Sequence, residues 1–132
     1  MVQQAVSEGG TFLEILNRIF IRLFAVIEDD KEARAVMELG LFKTGHAPKL
    51  EVGRKKQLEA GKAQIEGIAE AMKQGIAQGV LRSDIDPLEM ARAFIAFENG
   101  AIQLWLASGK SFSLKASAEA FADILIAGLK RQ

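Results

Sequence analysis

Two segments near the end of the chain carry apolar side chains around almost the whole circumference of a helix. This feature limits the possible folds more than any other in the sequence. These segments are 86–108 and 114–130. A helix of this kind must be covered on two sides. Because the other segments supply only one cover, we expect the second side to pack on another copy of the chain. Two helices from each protomer then form an intersubunit four-helix bundle. A central core helix in a monomer is the alternative.

The rest of the chain also favours helix, and period-2 runs of β-branched residues are missing. The chain has only 2 prolines, and good helix formers are abundant. Apolar spacing predicts three earlier helices, over 12–28, over 30–44, and from after Pro48 to about Gln78. Residues 1–10 show no such spacing, so we expect a flexible lead-in there. The sequence thus predicts an all-α, five-helix domain over 11–132.

Helix ends are marked by capping residues. Thr11 with Glu14, and Asp29 with Glu32, have the spacing of capping boxes at the first two helix starts. The other expected caps are Gly79 as a left-handed C-terminal stop, Asp86 before Pro87 as an N-cap, and Ser113 as an N-cap.

Composition argues against several functions. The 17 acidic and 17 basic residues balance, whereas a chain held to nucleic acid by phosphate contacts usually shows a basic patch. There is no cysteine and only one histidine, His46, and the sequence contains neither a nucleophile elbow nor a phosphate-binding loop. No apolar run reaches the length of a membrane span. We therefore expect a cytoplasmic protein that is not an enzyme and needs no metal or cofactor.

Glycines punctuate the long third helix at positions 61, 67, 75 and 79. A glycine inside a helix lowers its stability by about 0.5–1 kcal/mol relative to alanine. The four positions indicate either close packing or a helix whose bend can change. Neutral drift in a helix that tertiary contacts stabilise explains them equally well.

Glu98 is the most informative polar residue, because it falls on the same helix face as Phe94 and Trp105. A buried charge needs a partner, and an apolar pocket with a few polar groups is typical of a ligand site. A carboxylate among aromatic rings favours a cationic or amine-bearing apolar ligand. The candidate ligand-binding residues are Phe20, Phe24, Met37, Phe42, Ile65, Met72, Phe94 and Glu98. For each of them except Glu98, an ordinary place in the core is the stronger expectation.

The bundle hypothesis names a second set of residues. The candidate dimer contacts are Phe97, Gly100, Leu104, Phe121 and Leu125. The sequence leaves open which face of the helix 86–108 lines a pocket and which forms the interface. As the alternative to a ligand contact, Glu98 reaches solvent or makes hydrogen bonds across the interface.

The segment Val80-Leu81-Arg82-Ser83-Asp84-Ile85-Asp86-Pro87, with Gly100 and Trp105-Leu106 after it, resembles the C-terminal regulatory domain of TetR-family repressors. The stretches Met37-Glu38 to Phe42-Lys43 and Phe112-Ser113-Leu114-Lys115 fit as well. The resemblance is closest to repressors of multidrug efflux pumps and covers about residues 11–130.

That resemblance implies a homodimeric domain that binds a hydrophobic small-molecule effector, cationic or aromatic in class. Binding in the family changes the spacing of two DNA-reading heads and releases the operator, a population shift. Residues 1–10 do not match the family's helix-turn-helix head, so we expect this polypeptide to contact DNA only through such a domain. The alternative is a headless dimerisation module that pairs with a full-length relative and acts as an antirepressor.

Overall fold

The structure is a computed structural model that describes residues 2–42 and 51–131. Its helices are α1 (Val2–Ser7), α2 (Phe12–Asp29), α3 (Lys31–Phe42), α4 (Glu51–Ala77), α5 (Pro87–Ala107) and α6 (Leu114–Leu129). The expected all-helical fold is therefore confirmed, with one helix more than the five predicted. None of the helices in the described ranges is long and apolar enough to cross a membrane.

The helices pack as two pairs around one core. α4 lies along α5, and α2 lies along α6, while α3 packs mainly on α2. The core consists of apolar side chains from α2, α4, α5 and α6, with the largest fully buried ones at Phe20, Phe24, Met72, Leu81, Met90, Ile102 and Leu114. α5 contributes the most buried residues of any helix, which makes it the central element.

The extra helix α1 forms where the sequence predicts a flexible lead-in. Its Ala5 is fully buried, and Arg18 of α2 donates hydrogen bonds from Nη1 to the carbonyl oxygens of Ala5 (2.7 Å) and Gly9 (2.9 Å). Arg22 forms an ion pair with Glu8 just after the helix. Two arginines of α2 thus hold this segment, a contact that no local pattern in residues 1–10 indicates.

Most of the predicted helix caps are confirmed. The Thr11 hydroxyl accepts the amide of Glu14 at 3.2 Å, which is the N-cap half of the expected capping box, and it donates to the Glu14 carboxylate. Asp86 accepts the amide of Leu88, and Ser113 accepts the amide of Ala116. These motifs are local, so the sequence identifies them directly.

One predicted cap was wrong by a residue. Asp30, and not Asp29, accepts the amides of Glu32 (2.9 Å) and Ala33 (3.2 Å) and begins α3. Asp29 is the last residue of α2 and pairs with Lys115 instead. The predicted end of the second helix at 44, and Pro48 before the third, lie outside the described residues.

Two successive residues of α3 have opposite surroundings. Val36 is 73% exposed, whereas Met37, one position further, packs against the core. Successive residues of a helix differ by about 100° in direction, so one residue separates the inner face from the outer one. The side chains of the last turn of α3, including Leu41, are outside the described part.

The end of α4 is joined to the C-terminus of the domain. Gly79 has a φ of +76°, which favours glycine, and the amides of Val80 and Leu81 both bond to the Gly75 carbonyl. Residues 80–82 then pair with the segment after α6, through Arg82 N to Leu129 O (2.9 Å) and Arg131 N to Val80 O (3.1 Å). This short pairing fixes α6 beside the α4–α5 connection.

Gly75 is required by close packing at this junction. A Cβ at this position would lie 2.7 Å from Leu81 Cδ1 and 3.1 Å from a ring carbon of Phe12. We expect Gly75→Ala to lower the free energy of unfolding by about 1–3 kcal/mol, because the buried side chains must shift. Urea denaturation of both proteins measures the difference.

Gly67→Ala is the matched control for this substitution. Gly67 lies in the same helix, and an added Cβ there meets nothing within 4 Å. Alanine should raise stability there by up to about 1 kcal/mol through helix propensity. Equal effects of the two substitutions would contradict the steric role of Gly75.

Candidate functional site

Five phenylalanines form a continuous aromatic cluster between α2, α5 and α6. Ring centroids lie 4.5 Å apart for Phe20–Phe24, 5.9 Å for Phe20–Phe94, 5.7 Å for Phe20–Phe97, 6.1 Å for Phe24–Phe121 and 5.8 Å for Phe97–Phe121. Most of these pairs are edge-to-face, a geometry that stabilises by about 0.5–1.5 kcal/mol beyond burial. The cluster connects Phe20, Phe24 and Phe94, predicted as ligand contacts, with two residues predicted as dimer contacts.

Glu98 follows Phe94 by one helical turn and is the one charged residue in the core of the described chain. Its exposure is 6%, and its face of α5 also carries the buried Ala91, Ala101 and Trp105. Burial raises the pKa of Glu98 from 4.5 to about 8, and no hydrogen bond or charge from the described residues opposes this shift. The carboxyl group is therefore mostly protonated at neutral pH.

The Glu98 carboxyl has no hydrogen-bond partner among the described residues. A nearly buried polar group without such a partner is suited to bind a ligand.

The other candidate ligand residues divide into three groups. Phe20, Phe24, Met72 and Phe94 are buried core residues, and Met37 packs on that core from α3. Ile65 is half-buried and lies outside the core cluster. Phe42 ends α3, and its side chain is outside the described residues.

The candidate dimer residues also differ in their surroundings. Phe97, Phe121 and Leu125 are half-buried and pack against the core. Gly100 is exposed, and Leu104 is 59% exposed. Gly100 and Leu104 thus lie on the outer side of α5, opposite the face that carries Glu98.

The far end of α5 meets three other helices at a junction of charged groups. Glu28 of α2 accepts the amides of Leu114 (3.1 Å) and Lys115 (3.0 Å) and the hydroxyl of Ser113, so it caps α6 from another helix. The sequence predicts only a capping or solvated role for the cluster Glu28-Asp29-Asp30. A carboxylate at a helix N-terminus is favoured by both the free amides and the helix dipole.

Trp105 is held at the same junction. Its indole N–H donates to the Phe112 carbonyl at 2.8 Å, and the Arg34 guanidinium lies 5.4 Å from its ring centre. Arg34 also donates to the carbonyl oxygens of Ile27 and Glu28 at the end of α2. The sequence does not reveal the role of Arg34, because no motif connects this residue with the two carbonyl groups and the Trp105 ring that it contacts.

Other surface features lie away from Glu98. Shallow depressions occur along the outside of α2, at its junction with α3, and beside the turn at 83–87. In the described ranges, no group of three or more histidine or acidic side chains is placed to hold a metal ion. The candidate site is therefore Glu98 with its aromatic neighbours.

The raised pKa of Glu98 predicts an unusual pH dependence of stability. Between the unfolded pKa near 4.5 and the folded pKa of about 8, the folded chain retains a proton that the unfolded chain has lost. Stability contributed by the protonated carboxyl is therefore lost as pH rises, by up to about 1.4 kcal/mol per pH unit.

We expect Glu98→Gln to remove this slope, since the amide does not titrate. Urea denaturation at intervals from pH 5 to pH 9 gives the difference in unfolding free energy between the two proteins. This difference should move in favour of the glutamine variant as pH rises. A constant difference over the range would show that Glu98 titrates normally.

Comparison with known proteins places this geometry in a family. Residues 11–131 match the family model described as the C-terminal region of MAATS-type transcriptional repressors, a TetR-family domain. No curated protein sequence gives a significant match. The family match covers nearly the whole chain, including every helix except α1.

Solved structures with the same fold are also regulators. The transcriptional regulator FadR from Bacillus subtilis, in complex with stearoyl-CoA, aligns over 97% of this chain with a TM-score of 0.78 and 16% identity. The ketosteroid regulator KstR2 of Mycobacterium tuberculosis aligns over 99% with a TM-score of 0.74 and 18% identity. The MbdR regulator from Azoarcus sp. CIB aligns over 98% with a TM-score of 0.76 and 21% identity.

The chain spans 66%, 64% and 68% of the lengths of FadR, KstR2 and MbdR. Identities this low support the fold, whereas the family model rests on the sequence itself. The helix order, the central α5 and the family match over 11–131 agree. The chain belongs to the TetR family of transcriptional regulators and carries its C-terminal, ligand-binding region.

Proposed function

We propose that this domain binds a hydrophobic small-molecule effector with a cationic group, and that Glu98 is its polar contact. The carboxyl of Glu98, nearly buried and without a partner among the described residues, carries this proposal. Burying a polar group without a partner is costly, so such a group in a core calls for a functional explanation. Aromatic side chains around it add attraction for a cation, since the faces of their rings are negative.

The fold neighbours support an apolar effector. FadR is described in complex with stearoyl-CoA, and KstR2 is described as a ketosteroid regulator. A site with mostly apolar walls and one carboxyl suits a ligand that is largely apolar with one polar group. For this chain we propose that the polar group of the effector is cationic, because it would contact the carboxyl of Glu98.

We also propose that the domain forms a homodimer through α5 and α6. The outer side of α5 exposes small residues and one large apolar residue, at Ala93, Ala96, Gly100 and Leu104. α6 exposes a similar face at Ala116, Ala120, Ile124 and Ala127. Leu104 and Ile124 are 59% and 63% exposed, although such side chains are usually covered. Small residues beside them allow two helices to approach closely.

The two proposed properties together describe a sensor. In a dimer joined to DNA-binding heads, an effector that prefers one arrangement of the domains shifts the population towards it. The size of the response is limited by the difference in affinity for the two arrangements. The domain's role in such a regulator is to convert effector binding into a change of geometry.

The electrostatic role of Glu98 is tested with two probes of similar shape. Tetraphenylphosphonium is a permanent apolar cation, and triphenylphosphine oxide is neutral. We expect calorimetric titration at pH 8 to show about tenfold or greater loss of phosphonium binding in Glu98→Gln, with little change for the oxide. Equal losses for both probes would remove the electrostatic role.

The affinity for the cation should also depend on pH. Binding of a cation favours the ionised carboxylate, so it releases the proton that Glu98 holds in the free protein. Phosphonium affinity should rise by up to about tenfold per pH unit towards pH 8 and then level off. A flat profile for the native protein would contradict direct contact between the cation and Glu98.

The dimer is tested by placing charge on the exposed faces of α5 and α6. Leu104→Lys combined with Ile124→Lys should yield a folded monomer, because each protomer would bury two positive charges in the interface. Sedimentation velocity measures the mass, and circular dichroism verifies the helices. Val36→Lys changes a more exposed apolar residue, on α3, and should leave the dimer intact. A double variant that stays dimeric would contradict this interface.

A further inference from the structure

Packing explains only one of the three glycines considered inside α4. Gly75 is required by its contact with Leu81, as described above. At Gly61 and Gly67, a Cβ would meet nothing within 4 Å, and neither has the positive φ that favours glycine. Neither packing nor backbone geometry therefore requires glycine at these two positions. Each nonetheless lowers helix propensity about four- to fivefold relative to alanine.

The part of α4 that precedes Gly67 is poorly covered at its described side chains. Ala69 and Met72, in the second half, are buried in the core. Leu58 and Ile65 continue the same apolar face towards the start of the helix. Leu58 is 66% exposed, and Ile65 is only half-buried. The apolar face of α4 thus extends beyond the part that the core covers.

The position of this uncovered face is set by the pairing of α4 with α5. Pro87 borders the same surface depression as Ile76, so α5 begins beside the end of α4, and the two helices, which pack along each other, run antiparallel. Glu98 is eleven residues from Pro87, and Ile65 is eleven residues from Ile76. At 1.5 Å per residue, both levels lie about 16 Å from the connection. Gly61, Ile65 and Gly67 therefore surround the level of Glu98.

We infer that Gly61 and Gly67 form a bending point that lets the first half of α4 close over an effector bound at Glu98. This inference rests on the proposed function, which supplies the occupant. Closure would cover the apolar face at Leu58 and Ile65 with the apolar part of the effector. Glu98 is only 6% exposed in this structure. An effector therefore requires the helices around Glu98 to move, and a bend within α4 supplies that movement.

The test uses the whole chain with Gly61→Ala and Gly67→Ala combined. In the structure, neither added Cβ meets another atom within 4 Å, so the variant should fold and be more stable. Because bending becomes harder, we expect tetraphenylphosphonium to bind about tenfold more weakly by calorimetry. Gly53→Ala is the matched control. It lies in the first turn of the same helix, has open space around it, and should change affinity less than about twofold.

Hydrogen exchange followed by mass spectrometry supplies a second measurement. In the native protein, amides of residues 55–67 should exchange faster than those of 69–77, and phosphonium should protect them. The double variant should show slower exchange in 55–67 without ligand. Unchanged phosphonium affinity in the double variant would overturn the bending point.

Failure of the proposed function gives a different result. If the native protein does not bind phosphonium, a cation site at Glu98 is rejected. Exchange in the free protein then decides on the bending point by itself. Faster exchange in 55–67 that the two alanines slow supports it, and equal protection along the whole of α4 overturns it.

Discussion

The positions of the other helices depend on one constraint, which is that the apolar surface of α5 must be buried. α4 lies along one side of it, and the aromatic cluster connects another side to α2 and α6. Since α5 is apolar around most of its circumference, covering it requires helices on several sides. The fold follows from this requirement, and the remaining exposed side of α5 is the interface proposed above for a second copy.

Ends of helices, and not only their faces, hold the arrangement together. Glu28 supplies the N-terminal cap of α6, and Arg34 satisfies carbonyls at the end of α2 while it contacts Trp105. Two helix ends thus have unsatisfied backbone groups bonded by side chains of a neighbouring helix. At the opposite end of the domain, residues 80–82 pair with the chain after α6. The middle of α5, where Glu98 lies, is consequently placed by contacts at both ends.

Local signals explain how far the sequence predicts this fold. Thr11, Asp86 and Ser113 act within a few residues of their own position, so their spacing was sufficient to place three helix starts. Glu28 acts on amides 86 and 87 positions away, and no local pattern shows this. The helix α1 was missed for the same reason, since its anchor is Arg18 of the next helix.

The sequence identified one residue of the candidate site more readily than the others. Glu98 stood out because a charged residue on an apolar helix face is unusual, and its burial agrees with that expectation. The roles of Phe97 and Phe121 were harder to predict, because an apolar residue on a helix apolar all round suits a core and an interface equally. In the structure both rings join the aromatic cluster while remaining half-exposed. They lie where the core and the proposed interface meet.

The protonated state of Glu98 determines what the site accepts. At neutral pH the carboxyl is mostly neutral and can donate a hydrogen bond to a ligand, so the free domain does not have to bury a charge at this position. A neutral ligand with an acceptor group binds this form without any change in protonation. A cationic ligand gains the attraction of a carboxylate and the aromatic faces, but it must first displace the proton. The preference between these two classes therefore depends on pH, and a cation is favoured most where the free carboxyl is already ionised.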